Sequence, residues 1–186
     1  MALDKTFREL SESLRKLRDS FLAIQLTVRE DVPKQGSVAL VDKFADAIDD
    51  ALGWVEEALT AALEAGRAAA PPANVELARK ALAGCQEQFH RMQERFQSEL
   101  VSYQRLKDLT AFGRSRRGEW LGWVKTVRTG LEQCQAPMEQ ASRYLSDCWQ
   151  EIAERAAMTS VSVQSTNIGQ QIATSEVEEV VRRGMT

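Results

Sequence analysis

The chain has few of the residues from which enzyme and metal sites are built. It contains one histidine, three cysteines and four prolines among 186 residues, and it has no Gly-rich phosphate loop. A nucleophile–base pair or a zinc site needs several such side chains at set spacings, and the cysteines lack C-x-x-C spacing. We therefore predict no enzyme activity, no catalytic residue, no metal site and no cofactor.

One pair of residues has a spacing that metal sites use. Glu87 and His90 form an E-x-x-H pair on a predicted helix, the arrangement found in carboxylate-bridged di-iron bundles. Such a site needs a second pair, and the chain has no second histidine. Because both residues flank the apolar positions Cys85, Phe89 and Met92, we interpret them as part of a solvated helix face.

Long apolar runs and a strong charge of one sign are also missing. No stretch of about 18 apolar residues exists, so we predict no membrane-spanning helix. MALDKTFREL lacks the apolar core of a signal peptide, and a net charge of −3 argues against nucleic-acid binding. Three widely spaced cysteines on apolar faces are typical of reduced, buried thiols, which favours a cytoplasmic protein.

What the sequence does contain is four long amphipathic helices. In the first, apolar residues recur at alternate steps of 4 and 3, the repeat of a coiled-coil seam. That seam comprises Leu3, Phe7, Leu10, Leu14, Leu17, Phe21, Ile24 and Val28. Val32-Pro33 and Ala70-Pro71-Pro72-Ala73 end helices one and two, Asn74 caps helix three, and the third helix reaches Phe112-Gly113. Short connections force antiparallel neighbours, so we predict an all-α, elongated antiparallel four-helix bundle over residues 1–158.

The fourth helix carries the same spacing from Val124 to Ile152. Pro137 interrupts it and should kink it, because an interior proline removes a backbone hydrogen bond. The apolar phase is unbroken across this proline, so we expect one helix there and no second domain.

The chain changes character after Met158. Residues 156–175 are twenty consecutive uncharged residues in a chain of which 27% is charged. Residues 159–165 alternate like a strand, and Ser175-Glu176-Val177-Glu178 is a capping box for a short terminal helix. We therefore predict that residues 159–186 form a non-helical tail with a short terminal helix. Its candidate anchors for a partner are Val161, Val163, Ile168, Ile172, Val177, Val180 and Val181.

A basic segment lies between helices three and four. From Arg105 to Arg128 seven positive residues face two carboxylates, a net of +5, and aromatic residues are interleaved with them. Cationic and aromatic residues together suit an anionic membrane surface or an acidic protein partner. The alternative is a polar turn whose tryptophans fold back onto the bundle. The candidate contacts are Arg114, Arg116, Arg117, Trp120 and Trp123.

Two family resemblances accompany these patterns. Trp120-Leu121-Gly122 at a helix junction resembles the Trp-x-Gly turn of small secreted helical-hairpin proteins, although Cys148 stands where their downstream Tyr-x-x-x-Asp/Glu signal would follow Tyr144. A bundle with a basic tip and an uncharged segment such as residues 167–171 is similar in layout to cell-death executioner bundles fused to amyloid-type signalling motifs. The second resemblance implies a tail that stacks on a matching motif, whereas a flexible linker has the same composition.

We predict a non-enzymatic, cytoplasmic helical-bundle adaptor. Its tail would dock on a protein partner, by adding a strand or by placing its terminal helix in a groove, or would mediate homo-oligomerisation. The alternatives are a membrane-active bundle triggered through its tail and a secreted protein of the Trp-x-Gly type.

Overall fold

The residues that the computed structural model describes form four α-helices. The structure describes the backbone of residues 2–30, 38–70, 73–100 and 117–183, and the side chains of residues 5–29, 41–70, 73–98, 118–119 and 121–158. The helices are α1 (Ala2–Glu30), α2 (Val38–Ala69), α3 (Val75–Arg95) and α4 (Arg117–Arg183), and a π-helical turn, Phe96–Leu100, follows α3. The predicted extension of helix three beyond Leu100 lies outside the described residues.

The seams predicted from the 3/4 spacing form the core. Every seam residue of α1 from Phe7 to Val28 is buried, and so are most of those on the other helices. Leu63 and Met138 are only partly buried and pack against this core. The fully buried seam residues of α2, α3 and α4 are Val41, Phe44, Ile48, Leu52, Val55, Leu59, Leu82, Cys85, Phe89, Met92, Phe96, Val124, Val127, Leu131, Cys134, Ala141, Leu145, Cys148 and Ile152.

Contacts between the ends of the helices establish the antiparallel order. Thr6 near the start of α1 donates a hydrogen bond to Glu151 of α4 over 2.5 Å. At the opposite end, the indole of Trp123 donates to the carbonyl of Thr27 over 3.0 Å. α1 therefore runs antiparallel to α4, and the extensive contacts of α2 with both α1 and α3 complete an up-down-up-down bundle.

Two local features fix the end of the bundle where α2 meets α3. The Asn74 side chain accepts a hydrogen bond from the backbone N–H of Leu77 over 3.0 Å, which confirms the predicted cap of α3. Arg155 of α4 donates to the carbonyl of Ala69, the last residue of α2, over 2.8 Å. A cation on the last carbonyls of a helix satisfies an acceptor that has no partner within that helix.

The prediction of a non-helical tail is wrong. α4 continues as one helix through Pro137, through Met158 and on to Arg183. Ser175 is therefore an interior helical residue and not the cap of a separate short helix. The physical reason is that lengthening an existing helix adds one hydrogen bond per residue without a new nucleation step. No proline follows Pro137 in the chain to stop it.

The three cysteines are free and buried, as their place on apolar faces predicted. Burial raises the pKa of the Cys85 thiol to about 12, and it raises the pKa of the Cys134 thiol to about 12. For Cys148, burial comes first and the negative charges of Glu151, Cys85 and Asp147 add to it, so its pKa is raised as well. All three thiols are protonated near neutral pH and act as small apolar side chains in the core.

Candidate functional site

The structure describes only some of the contact residues predicted in the basic segment. Arg114 and Arg116 lie outside the described residues, while Arg117 and Trp120 are backbone positions in the first turns of α4. The prediction that Trp123 contacts a partner is wrong. Its side chain is only 4% exposed, and its indole N–H donates to the Thr27 carbonyl. This tryptophan folds back onto α1 as a core residue, which leaves it no surface for a membrane or an acidic partner.

The three residues that carry the Trp-x-Gly resemblance are helical in the structure. Residues 120–122 lie inside α4, which begins at Arg117, and not in a turn between two helices. A Cβ placed on Gly122 would meet nothing within 4 Å, so no close approach requires glycine there. The secreted-protein alternative stays a prediction.

Glu87 and His90 lie on the solvent face of α3, as their position beside the seam predicted. Glu87 accepts a hydrogen bond from Arg91 over 2.6 Å, and His90 Nε2 lies 3.2 Å from a Glu94 carboxylate oxygen. All four side chains are at least half exposed. Among the described residues, no group of three or more His, Cys, Asp or Glu side chains is placed to hold a metal ion.

The outer face of α2 is acidic. Asp49 accepts a hydrogen bond from Gln25 over 2.7 Å and pairs with Arg29, while Asp50 pairs with Arg95 over 3.0 Å. The other α2 carboxylates are exposed, with no ion-pair partner in the described part of the chain. They are Asp42, Asp46, Glu56, Glu57 and Glu64. The two paired carboxylates tie α2 to its neighbours, and the remainder form a hydrated negative face.

A groove opens between α3 and α4, the adjacent helices that touch least. It measures about 620 Å³, with Phe89, Leu145 and Trp149 among its apolar lining. Ser142 and Ser146 line its α4 side. The Trp149 indole nitrogen is buried and has no hydrogen-bond acceptor in the described part of the protein. Sequence periodicity missed this groove, because spacing along each helix does not give the distance between two helices.

The feature that distinguishes α4 is its length beyond the bundle. Arg155 and Met158 lie level with the end of α2 and the start of α3, because Met158 lines an opening with Ala73, Asn74 and Val75. Residues 159–183, here called the α4 extension, follow that level. At 1.5 Å per residue, a straight helix of this length reaches about 38 Å past the bundle.

The seam of α4 loses its apolar residues at the start of the extension. The buried positions of α4 step by 3 and 4 up to Ile152. The same steps continued beyond Ile152 are Arg155, Thr159, Ser162, Thr166, Gly169 and Ala173. These steps thus meet only polar or small residues in the extension, whereas Val163, Val177 and Val181 lie within about 20° of Ile152 around the helix.

The predicted anchors fall on two sides of the extension. Positions 161, 168 and 172 are spaced by 7 and 4, which places them along one stripe of a helix. Positions 163, 177 and 181 share a second stripe, about half a turn away, and position 180 lies between the two. The helical backbone therefore places the anchors on two sides and separates Val161 from Val163, which strand-like alternation would put on one face.

Three comparisons with known proteins were made, and none found a match. No protein-family model matches the chain, no curated protein matches it, and no solved structure matches it. Within the described helices, no segment is apolar enough over the length of a bilayer crossing to span a membrane.

Proposed function

We propose that this chain is a non-enzymatic interaction protein in which a four-helix bundle presents a helical docking element, the α4 extension. The partner is a protein, either a different chain or a second copy of this one. The bundle holds the element at a fixed position, and the extension makes the contact.

One observation carries this proposal. α4 is a single helix of 67 residues, whereas the other helices have 29, 32 and 21. Its bundle-facing seam ends at Ile152, and the extension has its own apolar stripe at Val161, Ile168 and Ile172. A solvated helix without apolar contacts is only marginally stable in water, so an apolar stripe on an isolated extension suits a partner surface.

The helical backbone also selects the mode of docking. Strand addition would need residues 159–165 to be extended, whereas they are helical. Apolar residues at steps of 3, 4 and 7 are the pattern with which an amphipathic helix enters a groove or pairs with another helix. Helix docking therefore replaces strand addition as the proposed mode.

The test compares full-length variants that differ only in the stripe. Ile168→Asp/Ile172→Asp places two charges on it, and Thr166→Asp/Gln170→Asp adds the same charge on the opposite side of the helix. We expect the stripe variant alone to lose complex formation, read as mass by light scattering and as affinity for proteins co-purified with the wild-type chain.

The chain ending at Met158 should behave like the stripe variant and should keep its helical circular dichroism per residue. Unchanged mass and unchanged partner binding in both would refute the proposed function. Equal losses in the stripe variant and its control would show an effect of charge alone, which also contradicts it.

A further inference from the structure

The α4 extension cannot pack on its own bundle while it remains helical. At Arg155 and Met158 the helix passes the last residue of α2 and the first residues of α3. Each further residue carries it about 1.5 Å away from that level. A packing partner for the helical extension therefore has to come from another molecule.

The stripe on the extension has two-fold character. Together with Ser165, its positions are 161, 165, 168 and 172, with successive steps of 4, 3 and 4. This order reads the same in both directions about a point between residues 166 and 167. In an antiparallel pair of extensions, position 161 comes level with position 172 of the second copy, and position 165 with position 168. A surface that matches itself is what a two-fold interface requires.

Up to Ser175, the extension also lacks the charges that would keep two copies apart. Residues 156–175 contain no Asp, Glu, Lys or Arg. Close approach of two such segments therefore brings no like charges together, and the Ser, Thr, Asn and Gln side chains beside the stripe can hydrogen-bond across the pair. A second copy fits this surface better than a charged partner does.

Charges that flank the uncharged segment favour the antiparallel orientation. The same alignment brings Arg182 level with Glu151 of the second copy, Arg183 level with position 150 and Glu178 level with Arg155. Glu179 comes level with Glu154, the one like-charge match among these pairs. α4 carries Asp147, Glu151 and Glu154 in that region, with no Lys or Arg from residue 144 to residue 154. A parallel pair would instead set the acidic residues 176, 178 and 179 beside their own copies, where like charges repel.

We infer that two copies of this chain pair antiparallel through their α4 extensions, with the two-fold axis between residues 166 and 167. This inference rests on the proposed function and names the partner of the same element. The basic end of each extension then lies against the acidic segment of α4 in the other copy.

Charge reversal tests the orientation. Arg182→Glu/Arg183→Glu places acidic residues against the acidic segment. Asp147→Lys/Glu151→Lys, at an exposed and a partly exposed position, places basic residues against the basic end. We expect each variant alone to dimerise about 5- to 10-fold more weakly than wild type at low salt, as for a few exposed ion pairs. An equimolar mixture of the two should recover wild-type affinity as a heterodimer in sedimentation velocity, with one variant fluorescently labelled.

The matched control is Asp46→Lys/Glu57→Lys, the same change in charge at exposed positions of α2. It should dimerise as wild type does. Circular dichroism of each variant should be unchanged, which separates weakened pairing from unfolding.

Three outcomes would overturn the inference. The first is a mixture that associates no better than either variant alone. The second is Ile168→Asp/Ile172→Asp abolishing a dimer that both charge reversals leave intact, a result that supports the proposed function but refutes the antiparallel pair. The third is a wild-type chain that stays monomeric up to about 100 µM. The proposed function would then be tested only by whether the extension binds a different protein.

Discussion

At the scale of single residues, small side chains determine how closely the helices approach. A Cβ built on Gly130 of α4 would lie 2.6 Å from Cγ1 of Ile24 in α1, closer than real contacts permit. Gly53 of α2 lies in open space, with nothing within 4 Å of the same atom. The two glycines therefore have different reasons for their positions, although both lie inside helices.

Alanine at these two positions should change stability in opposite directions. Gly130→Ala should destabilise the fold, because overpacking costs roughly 1–3 kcal/mol and exceeds the gain in helix propensity. Gly53→Ala should raise the free energy of unfolding by about 0.5–1 kcal/mol, since only the propensity changes. Urea denaturation followed by circular dichroism measures both. Stabilisation of both variants alike would show that α1 and α4 are further apart than the structure has them.

The buried thiols make the stability depend on pH. Their pKa values are raised by burial, so the folded chain keeps its thiol protons while the unfolded chain releases them above about pH 8.5. The unfolded state then binds fewer protons, and stability falls as pH rises, by at most about 1.4 kcal/mol per pH unit for each thiol. Below about pH 8 the contribution is constant.

Cys134→Ala should reduce this slope by about a third between roughly pH 8.5 and 9.5, where the thiols dominate the linkage. Unfolding free energies from urea titrations at several pH values provide the measurement. Ellman's reagent should react slowly with the native wild-type protein and rapidly with all three thiols in urea. An unchanged slope in Cys134→Ala would mean that this thiol ionises alike in both states.

At the scale of helices, the four seams were predictable and their relation to one another was not. A 3/4 spacing such as Phe7 to Val28 defines a buried stripe because only that spacing keeps apolar residues on one side. The helical extension escaped prediction because β-branched residues such as Val161 and Val163 favour strands locally, while continuity with α4 favours helix. Trp123 could not be assigned from composition, since its burial depends on where α1 ends.

Polar residues on the bundle side of the extension make its helix weak. Ser162 and Thr166 each have a lower helix propensity than alanine, by about half a kcal/mol. Ser162→Ala/Thr166→Ala should raise the helical circular dichroism signal and slow amide exchange across residues 159–175. The glycine pair Ser162→Gly/Thr166→Gly should do the reverse. Identical exchange in the two variants would show that packing alone sets the helix there.

At the scale of the whole molecule, charge is distributed unevenly. α2 presents a hydrated acidic face, whereas the segment from Arg105 to Arg128 carries seven basic residues against two carboxylates. The membrane-active alternative depends on that cluster and stays a prediction, with Trp123 removed from its contact residues.

Binding to anionic vesicles is the whole-molecule test of that alternative. If the cluster contacts lipid, co-sedimentation should fall steeply with salt and be lost in Arg116→Glu/Arg117→Glu, because exposed charges attract within a Debye length. Lys5→Glu/Lys16→Glu makes the same change of charge at exposed positions of α1 and should bind as wild type. Equal sedimentation of all three proteins, or none by wild type, would remove the membrane alternative.

The continuity of α4 across Arg155 and Met158 has a mechanical consequence. A helix without a break transmits rotation, so the bundle sets the angle at which the extension faces its partner as well as the distance. One residue inserted near position 157 would turn the whole extension by about 100° and lift it by about 1.5 Å, whereas seven residues would nearly restore its angle. While the extension is helical, its rotational angle is thus set where α4 leaves the bundle.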